Sequence, residues 1–370
     1  MENSGLSDIL NDVFGVYQLQ LNSKLPAQNI VLTVSENKKQ LIGHVVKFLA
    51  KDVSLRQHNG THKLVLIGEE AAPVEISNGG EVVTRTDLAT THEEADNIIV
   101  QQAMMCARTN EQSEITVVSD DTDVFVLLVH YYHTENMKNH VIMESPIKER
   151  TAIDIGKTVE KHACIVSEIL PAHALTGCDT VACYHGIGMG TALKVLRAGS
   201  HSLSRLGVMD TPIESVLVQA TAFMSACYGQ SSCQSMSETR WKVWASNTGQ
   251  ASSAPPKLCC LPPTNESFAE NVKRAHYQAI VWRSLEDNNP PHIDPELFGW
   301  TKDTKRKVLR PTSVPVTVEL APEYIMHLIK CGCKSDTPCS TRACSCTRDK
   351  LDCTVFCECN NKGCCQNVTP

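Results

Sequence analysis

The 370-residue sequence has no long apolar run, no strong net charge and few aromatic residues. Nowhere do eighteen apolar residues follow one another, so no membrane-spanning helix is predicted. The formal net charge is −7, which excludes a basic field over the whole chain, and any contact with DNA must come from local patches. Aromatic residues make up 5% of the chain, so a core built chiefly from aromatic rings is not expected.

The first seventeen residues also lack the basic start and the apolar stretch of a secretory signal peptide. We therefore expect a reducing compartment, the nucleus or alternatively the cytoplasm. In such a compartment the eighteen cysteines are not expected to form disulfides. Eight of them lie between Cys106 and Cys260, mostly among apolar residues, and are expected to be buried thiols.

The other ten cysteines lie between Cys331 and Cys365, separated mainly by small and polar residues. A segment with so little apolar material needs a metal or crosslinks to fold, and thiolates in a reducing compartment favour zinc. Repeated Cys-x-Cys pairs suit neighbouring metals that share ligands. Three tetrahedral zinc ions need about twelve ligand positions, which nine thiolates supply if three of them bridge. A disulfide knot is the alternative.

These cysteines, read as CGC, CSTRACSC, CTVFCEC and CCQN, resemble the CXC domain of the tesmin/TSO1 and male-specific-lethal type. They are also similar to the pre-SET zinc cluster of histone methyltransferases. The resemblance implies about three zinc ions, leaves Cys364 as the spare thiol, and implies DNA binding in which Arg342, Arg348 and Lys350 are our candidates. The implied zinc ligands are Cys331, Cys333, Cys339, Cys344, Cys346, Cys353, Cys357, Cys359 and Cys365.

The charge of the cysteine segment gives DNA binding less support than the resemblance does. Its few cations are opposed by nearby acidic residues, and thiolates around zinc add negative charge. A more basic stretch, KDTKRKVLR over Lys302 to Arg310, lies upstream and is expected either to assist binding or to serve as a solvated linker.

Between residues 60 and 200, short apolar runs alternate with helix-like segments, which indicates an α/β domain with a parallel sheet. The apolar run Val124 to Val129 has the length of a strand. A helix over Asn37 to Leu49 is expected to pack on the sheet, and the helix at His92 to Ala107 is expected to be capped by Thr90 or Thr91. Strands are predicted at Lys63 to Ile67, Ile115 to Val118, Val141 to Met143 and Ala152 to Ile155, and further helices at Val166 to Leu175, Gly190 to Arg197, Thr211 to Tyr228 and Glu266 to Leu285.

Five acidic residues occupy positions where metal chemistry can use them: Glu94, Asp96, Asp121, Asp123 and Asp179. The first two open a predicted helix, and Asp121 and Asp123 follow a strand, where open α/β sheets place their sites. Carboxylates of this kind bind Mg²⁺ or Mn²⁺, and paired ions can assist phosphodiester cleavage. Each motif also has a plain explanation, as compensation of a helix dipole or as a solvated loop.

In sequence order, THEEADNIIVQQAM, VVSDDTDVFVLL and HALTGCDTVACYHGIGMGTALKVL resemble the flap endonuclease/XPG branch of the PIN-like nucleases. The resemblance implies metal-ligand roles for the five acidic residues and a helix-turn-helix whose Gly186 and Gly188 contact phosphate. Two features depart from the family. No early strand ends in aspartate, and GIGMGTA stands where the family usually has a Pro-Lys pair.

The resulting division is an amino-terminal segment (1–60, expected to be partial), a PIN-like domain (60–205), a helical accessory region and linker (206–325) and a zinc domain (326–370). Three functions stay open: a Mg²⁺-dependent, structure-specific DNA nuclease; a non-catalytic DNA- or chromatin-binding protein; and a protein-interaction module with a structural zinc cluster. The combination of a nuclease-like domain with a CXC-like tail also suggests transposon-derived ancestry.

Overall fold

The computed structural model divides the chain into two compact units, Met1–Ser313 and Val314–Pro370. The residues it describes are 17, 19–20, 24, 27, 31–32, 34–52, 62–68, 70, 72–77, 81–92, 94–147, 149–248, 257–288, 290, 292–304, 308–312, 314, 330–334, 339–353, 357–359 and 365–367. None of the helices in these ranges is both long and apolar enough to cross a bilayer.

The described part of the chain is a mixed α/β structure with ten α-helices and small sheets. The helices are α1 (Ser35–Lys51), α2 (Ala95–Thr109), α3 (Thr122–Thr134), α4 (Ile155–Lys161), α5 (Val166–Thr176), α6 (Met189–Arg197), α7 (Ile213–Cys227), α8 (Met236–Thr248), α9 (Asn265–Arg283) and α10 (Ser345–Arg348). The strands are β1 (Leu64–Leu66), β2 (Val74–Ile76), β3 (Val82–Thr84), β4 (Glu114–Val118), β5 (His140–Glu144), β6 (Ile153–Asp154), β7 (Trp300–Asp303) and β8 (Val308–Pro311).

The extended parallel sheet that the sequence predicts is not found among the described residues. Only β4 and β5 pair in parallel, and β6 runs antiparallel to β5. The predicted strand at Lys63 to Ile67 forms as β1, but in a separate antiparallel sheet with β2 and β3. Residues 67–73 connect β1 to β2, and a parallel crossover needs about a dozen residues or more, so this short connection imposes the antiparallel arrangement.

The apolar run Val124 to Val129 is helical, although its length suggested a strand. It lies in α3, whose first turn is capped by Asp121: the side chain of this residue accepts a hydrogen bond from the Asp123 amide at 2.8 Å. The run is buried almost completely because α3 packs against α2, α4 and α5. A helix surrounded on several sides carries apolar residues around most of its circumference, so periodicity does not distinguish it from a buried strand.

The other predicted helices are present with small changes at their ends. For α2, the predicted capping residue is also different. It begins at Ala95, after Glu94, with no side-chain cap, so the prediction of Thr90 or Thr91 as cap is wrong. The hydroxyl of Thr91 bonds instead to the Asn288 carbonyl at 2.9 Å. The predicted helix near the amino terminus forms as α1 and contacts β2.

The core of the first unit is centred on α5, which packs against α3, α6 and α9. Trp282 and His276 of α9 are both buried, which is consistent with a structural role for these two side chains. The chain after α9 returns to the same helix, where the Phe298 ring lies 5.6 Å from that of Tyr277 and the Arg274 guanidinium lies over Trp300.

The eight dispersed cysteines are less buried than expected. Cys227 and Cys233 are buried, but Cys106, Cys164, Cys183 and Cys259 are exposed. Apolar neighbours in sequence do not imply a buried side chain. In α2, for example, Ala103 and Ala107 face the core while Cys106 faces outward.

Candidate functional site

Three of the predicted carboxylates meet at one point of the first unit. Carboxylate oxygens of Asp96, Asp121 and Asp123 all lie within 4.8 Å of one another. Asp96 comes from the first turn of α2, while Asp121 and Asp123 come from the junction where β4 ends and α3 begins. Both helices therefore direct their positive amino-terminal ends toward these negative charges, which partly compensates their repulsion.

The two remaining predicted acids, Glu94 and Asp179, line a cavity together with Asp96 and Asp123. We call this cavity the acid pocket. Its volume is about 170 Å³, and it is lined by Glu94, Ala95, Asp96, Asp123, Cys178, Asp179, Thr180 and Gln278. The Thr180 hydroxyl donates to the Gln278 side chain at 2.7 Å, which joins the wall of the pocket to α9. The fold thus brings together acids that lie as far apart in sequence as Glu94 and Asp179.

The electrostatics of the acid pocket show that these carboxylates are crowded. Partial burial, reinforced by the negative charges of Asp96 and Asp123, raises the pKa of Glu94 to about 7. Partial burial and the charges of Asp121 and Asp123 likewise raise the pKa of Asp96 to about 6. Near neutral pH, removal of the protons leaves several negative charges in a small volume, an arrangement that a bound cation relieves.

His173, which the sequence did not indicate, completes the surroundings of the triad. Its Nε2 lies 2.6 Å from Asp123 Oδ1, and both side chains are largely buried. The imidazole ring stacks on Trp282, with the ring centroids 5.7 Å apart and the planes inclined by 10°. The only available signal was the position of the histidine six residues before Asp179 in HALTGCD.

Asp120, the first acid of the Asp120-Asp121-Thr122-Asp123 turn, is not a member of the triad. Its carboxylate pairs with the Arg150 guanidinium at 3.0 Å, and it does not line the acid pocket. Asp121, in contrast, is held by two local hydrogen bonds, since its amide bonds to Ser119 Oγ and its carboxylate caps α3. Neighbouring acids of one turn therefore have different environments.

The predicted phosphate-contacting glycines lie at the start of α6. Gly186 has φ of +72°, a backbone conformation that favours glycine, and Gly188 is the N-cap residue of the helix. A Cβ atom added at Gly186, Gly188 or Gly190 would have no neighbour within 4 Å, so this turn is open. None of these glycines lines the acid pocket.

The second unit contains the cysteine cluster. Its nine described thiols lie close together, and three sulfurs form a triangle: Cys331 and Cys339 are 3.6 Å apart, Cys331 and Cys353 are 3.8 Å apart, and Cys339 and Cys353 are 3.5 Å apart. The sulfurs of two outer pairs, Cys346 with Cys357 and Cys359 with Cys365, lie 3.7 and 3.6 Å apart. Cys364, predicted to be the spare thiol, lies outside the described residues.

Zinc held by thiolates at about 2.3 Å in a tetrahedron requires sulfurs about 3.8 Å apart. The sulfur separations in the cluster have this spacing, and three sets of four cysteines each bring all four sulfurs within 4.8 Å of one another: 331, 333, 339 and 344; 331, 339, 353 and 359; and 331, 344, 346 and 353. The cluster could therefore hold zinc, and Cys331 belongs to every set.

The basic residues proposed for DNA contact are exposed. Arg342, Arg348 and Lys350 all face solvent, and Arg348 is near Asp349, with 3.5 Å between the charged atoms. The described residues of the upstream basic stretch are not a linker, because β7 and β8 pair as an antiparallel hairpin. Within it, Arg310 is paired with Asp303 at 3.1 Å. Residues 305–307 lie outside the described part.

Comparison with protein-family models, with curated proteins and with solved structures finds no match to this chain.

Proposed function

We propose that the chain is a divalent-cation-dependent nuclease that acts on DNA and carries a zinc-cluster tail. The observation that carries the proposal is the carboxylate triad of Asp96, Asp121 and Asp123, of which Asp96 and Asp123 line the acid pocket together with Glu94 and Asp179. The finer identification with the flap endonuclease/XPG branch of the PIN-like nucleases is part of this proposal and depends on the order of the three sequence motifs.

The donor set suits a hard cation. All five acids supply oxygen ligands, which Mg²⁺ and Mn²⁺ prefer, and the raised pKa values of Glu94 and Asp96 arise partly from neighbouring negative charges. A bound cation of this type lowers the pKa of water and stabilises the leaving oxygen in phosphodiester cleavage. The residues themselves would position the cation, and the pocket wall would orient the phosphate beside it.

For the cysteine cluster we propose three zinc ions that share three bridging thiolates. We assign the sulfur triangle of Cys331, Cys339 and Cys353 as the three bridging thiolates, since each pair in it has the spacing of two ligands on one zinc. Each zinc would then bind two bridging and two terminal thiolates. The terminal pairs would be Cys333 with Cys344, Cys346 with Cys357, and Cys359 with Cys365, which uses nine thiolates for three ions. The sulfurs of Cys344 and Cys346 also lie within 4.8 Å of each other, and those of Cys331 and Cys359 are 3.6 Å apart, so the assignment chooses among close neighbours.

The non-catalytic alternative also has an observation in its favour. The open turn at Gly186 to Gly190 carries no cation of its own, and the basic side chains of α6, Lys194 and Arg197, lie in its last turn instead of its first. A turn without a nearby cation is expected to bind a phosphate backbone weakly. In this alternative the acid pocket would have only a structural role, while the zinc tail would still bind DNA or chromatin, or would serve protein contacts alone.

Cleavage of flap, bubble and hairpin DNA in Mg²⁺ or Mn²⁺ tests the enzyme. We expect cleavage by the wild-type chain and its loss in Asp121→Ala/Asp123→Ala. Asp120→Ala is the matched control, because this acid belongs to the same turn but pairs with Arg150 and is not a member of the triad. Equal traces of cleavage in wild type and double variant would overturn the enzyme in favour of the non-catalytic alternative.

The DNA-binding role of the tail is tested in the full chain. Arg342→Ala/Arg348→Ala is expected to weaken DNA binding and to reduce its salt dependence by about two phosphate contacts. Lys334→Ala is the control, since Lys334 is already paired with Glu358 at 3.2 Å. Unchanged affinity and salt dependence in the double variant would remove these arginines from the DNA interface and would favour a protein-interaction role for the tail.

A further inference from the structure

The contact between His173 and Asp123 is a buried link between the acid pocket and the helical core. The two side chains are 8% and 14% exposed, and Nε2 and Oδ1 are 2.6 Å apart. A carboxylate accepts hydrogen bonds and does not donate them, so the imidazole carries a proton on Nε2 and donates a hydrogen bond to Asp123. One lone pair of Asp123 Oδ1 therefore already accepts a hydrogen bond before any ligand binds.

The ring of His173 is itself packed against a second aromatic ring. Trp282 stacks on it with the planes nearly parallel, and Trp282 is 1% exposed. The backbone at Trp282 is anchored in turn, because its carbonyl accepts a hydrogen bond from the Tyr131 hydroxyl at 2.7 Å. The packing of α9 on α5 therefore holds in place the ring that contacts the Asp123 carboxylate.

Helix stability and core packing do not by themselves explain why this position should be a histidine. His173 lies in the last turn of α5, where a cation favours the helix dipole, but its Nε2 contacts the Asp123 carboxylate, and an apolar residue would fill a buried site facing Trp282 at least as well. The side chain that Nε2 contacts is a member of the carboxylate triad. The contact itself therefore indicates a role in orienting this carboxylate.

We propose that His173 is a positioning residue that presents Asp123 to a cation through a single oxygen, and that it thereby selects small octahedral cations over Ca²⁺. This inference rests on the proposed cation site. Mg²⁺ and Mn²⁺ take carboxylate oxygens one at a time in octahedral geometry, whereas Ca²⁺ takes more ligands and often binds a carboxylate through both oxygens. A hydrogen bond that occupies Oδ1 disfavours the second mode.

Two substitutions of His173 by amide residues distinguish the effect of its hydrogen bond to Asp123 from the effect of having a polar side chain at this position. The terminal nitrogen of Gln reaches the position of Nε2, whereas that of Asn reaches only the position of Nδ1. His173→Gln is therefore expected to retain the bond to Asp123, and His173→Asn to lose it. His173→Leu is a second variant without a donor, and His130→Asn is the matched control, since His130 is another buried histidine that does not line the acid pocket.

Binding of Mn²⁺ to the full-length, zinc-loaded chain is measured by electron paramagnetic resonance of the free ion, with Ca²⁺ as competitor. Asp121→Ala/Asp123→Ala defines background binding, and thermal unfolding checks the fold of each variant. We expect the Asn and Leu variants to bind Mn²⁺ about 10- to 100-fold more weakly and to discriminate less against Ca²⁺. The Gln and His130→Asn variants are expected to stay close to wild type.

The outcomes distinguish this inference from the proposed function. If wild type binds no more Mn²⁺ than the double aspartate variant does, the cation site itself is wrong. If wild type binds specifically but either folded donor-free variant binds equally well with unchanged Ca²⁺ competition, His173 has no positioning role. Equal losses in the Gln and Asn variants, or in His130→Asn, would likewise overturn the inference, because the hydrogen bond would not be the cause.

Discussion

Replacement of Glu94 by Gln should stabilise the chain at neutral pH when no Mg²⁺ or Mn²⁺ is present. Glu94 has its pKa raised from 4.5 to about 7 by partial burial and by the charges of Asp96 and Asp123. A shift of this size corresponds to about 3 kcal/mol of folding free energy once the group is ionised. Asp96 shifts in the same direction but is more exposed, so solvent screening reduces its share.

The sign of the pH dependence follows from proton binding. Between pH 4.5 and about 7 the folded chain holds a proton on Glu94 that the unfolded chain has lost, so rising pH favours unfolding. Below this window the group is neutral in both states and has no effect, and above it the full penalty applies. The free energy of unfolding of Glu94→Gln relative to wild type should therefore increase across the window, by up to about 3 kcal/mol.

Urea unfolding followed by tryptophan fluorescence at a series of pH values measures this difference. All four tryptophans, at positions 241, 244, 282 and 300, belong to the first unit, so the signal reports its unfolding and not that of the zinc tail. Mg²⁺ or Mn²⁺ should stabilise wild type more than the variant. Glu111→Gln, an exposed acid outside the acid pocket, serves as control. A difference between Glu94→Gln and wild type that stays constant with pH would refute the reasoning.

Three further predictions concern the tail and the core. Cys331→Ser should remove about two of the three zinc ions, because Cys331 is assigned as a bridging thiolate. Cys333→Ser should remove at most one, because Cys333 is assigned as terminal. Native mass spectrometry counts the zinc ions in each variant. Gly177→Ala should destabilise the chain by more than about 2 kcal/mol, because φ of Gly177 is +128° and the new Cβ would lie 2.7 Å from the Cys183 side chain. Gly190→Ala lies in open space within α6 and should stabilise the chain by up to about 1 kcal/mol. Thermal unfolding compares the two variants. Tyr131→Phe should cost about 1–2 kcal/mol in the same assay, because its hydroxyl bonds to two backbone groups at the end of α9.

Local chemistry made several parts of this structure predictable. The spacing of the cysteines, with hardly an apolar residue between them, indicates a thiolate cluster without any knowledge of the fold. The acids at the starts of α2 and α3 were recognisable because helix starts and strand ends have sequence signals. The division into the four predicted segments and the DNA-binding role stay predictions.

Other features depended on contacts between distant residues. The helical state of Val124 to Val129 follows from burial on several sides, and β1 joins an antiparallel sheet because its partner strand comes too soon for a crossover. The relation between His173 and Asp123 spans fifty residues and requires α5 and α3 to pack against each other.

The sequence by itself determined which residue types this protein has for metal chemistry: a block of soft thiolates at one end and a series of hard carboxylates in the middle. Only the tertiary structure decided which of them meet. It directed Asp120 to Arg150, left Asp121 and Asp123 with Asp96, and placed Cys331, Cys339 and Cys353 at the centre of their cluster. The physical reason is that a ligand's type is a property of one side chain, whereas a site is a set of distances that only the packing of helices and strands can impose.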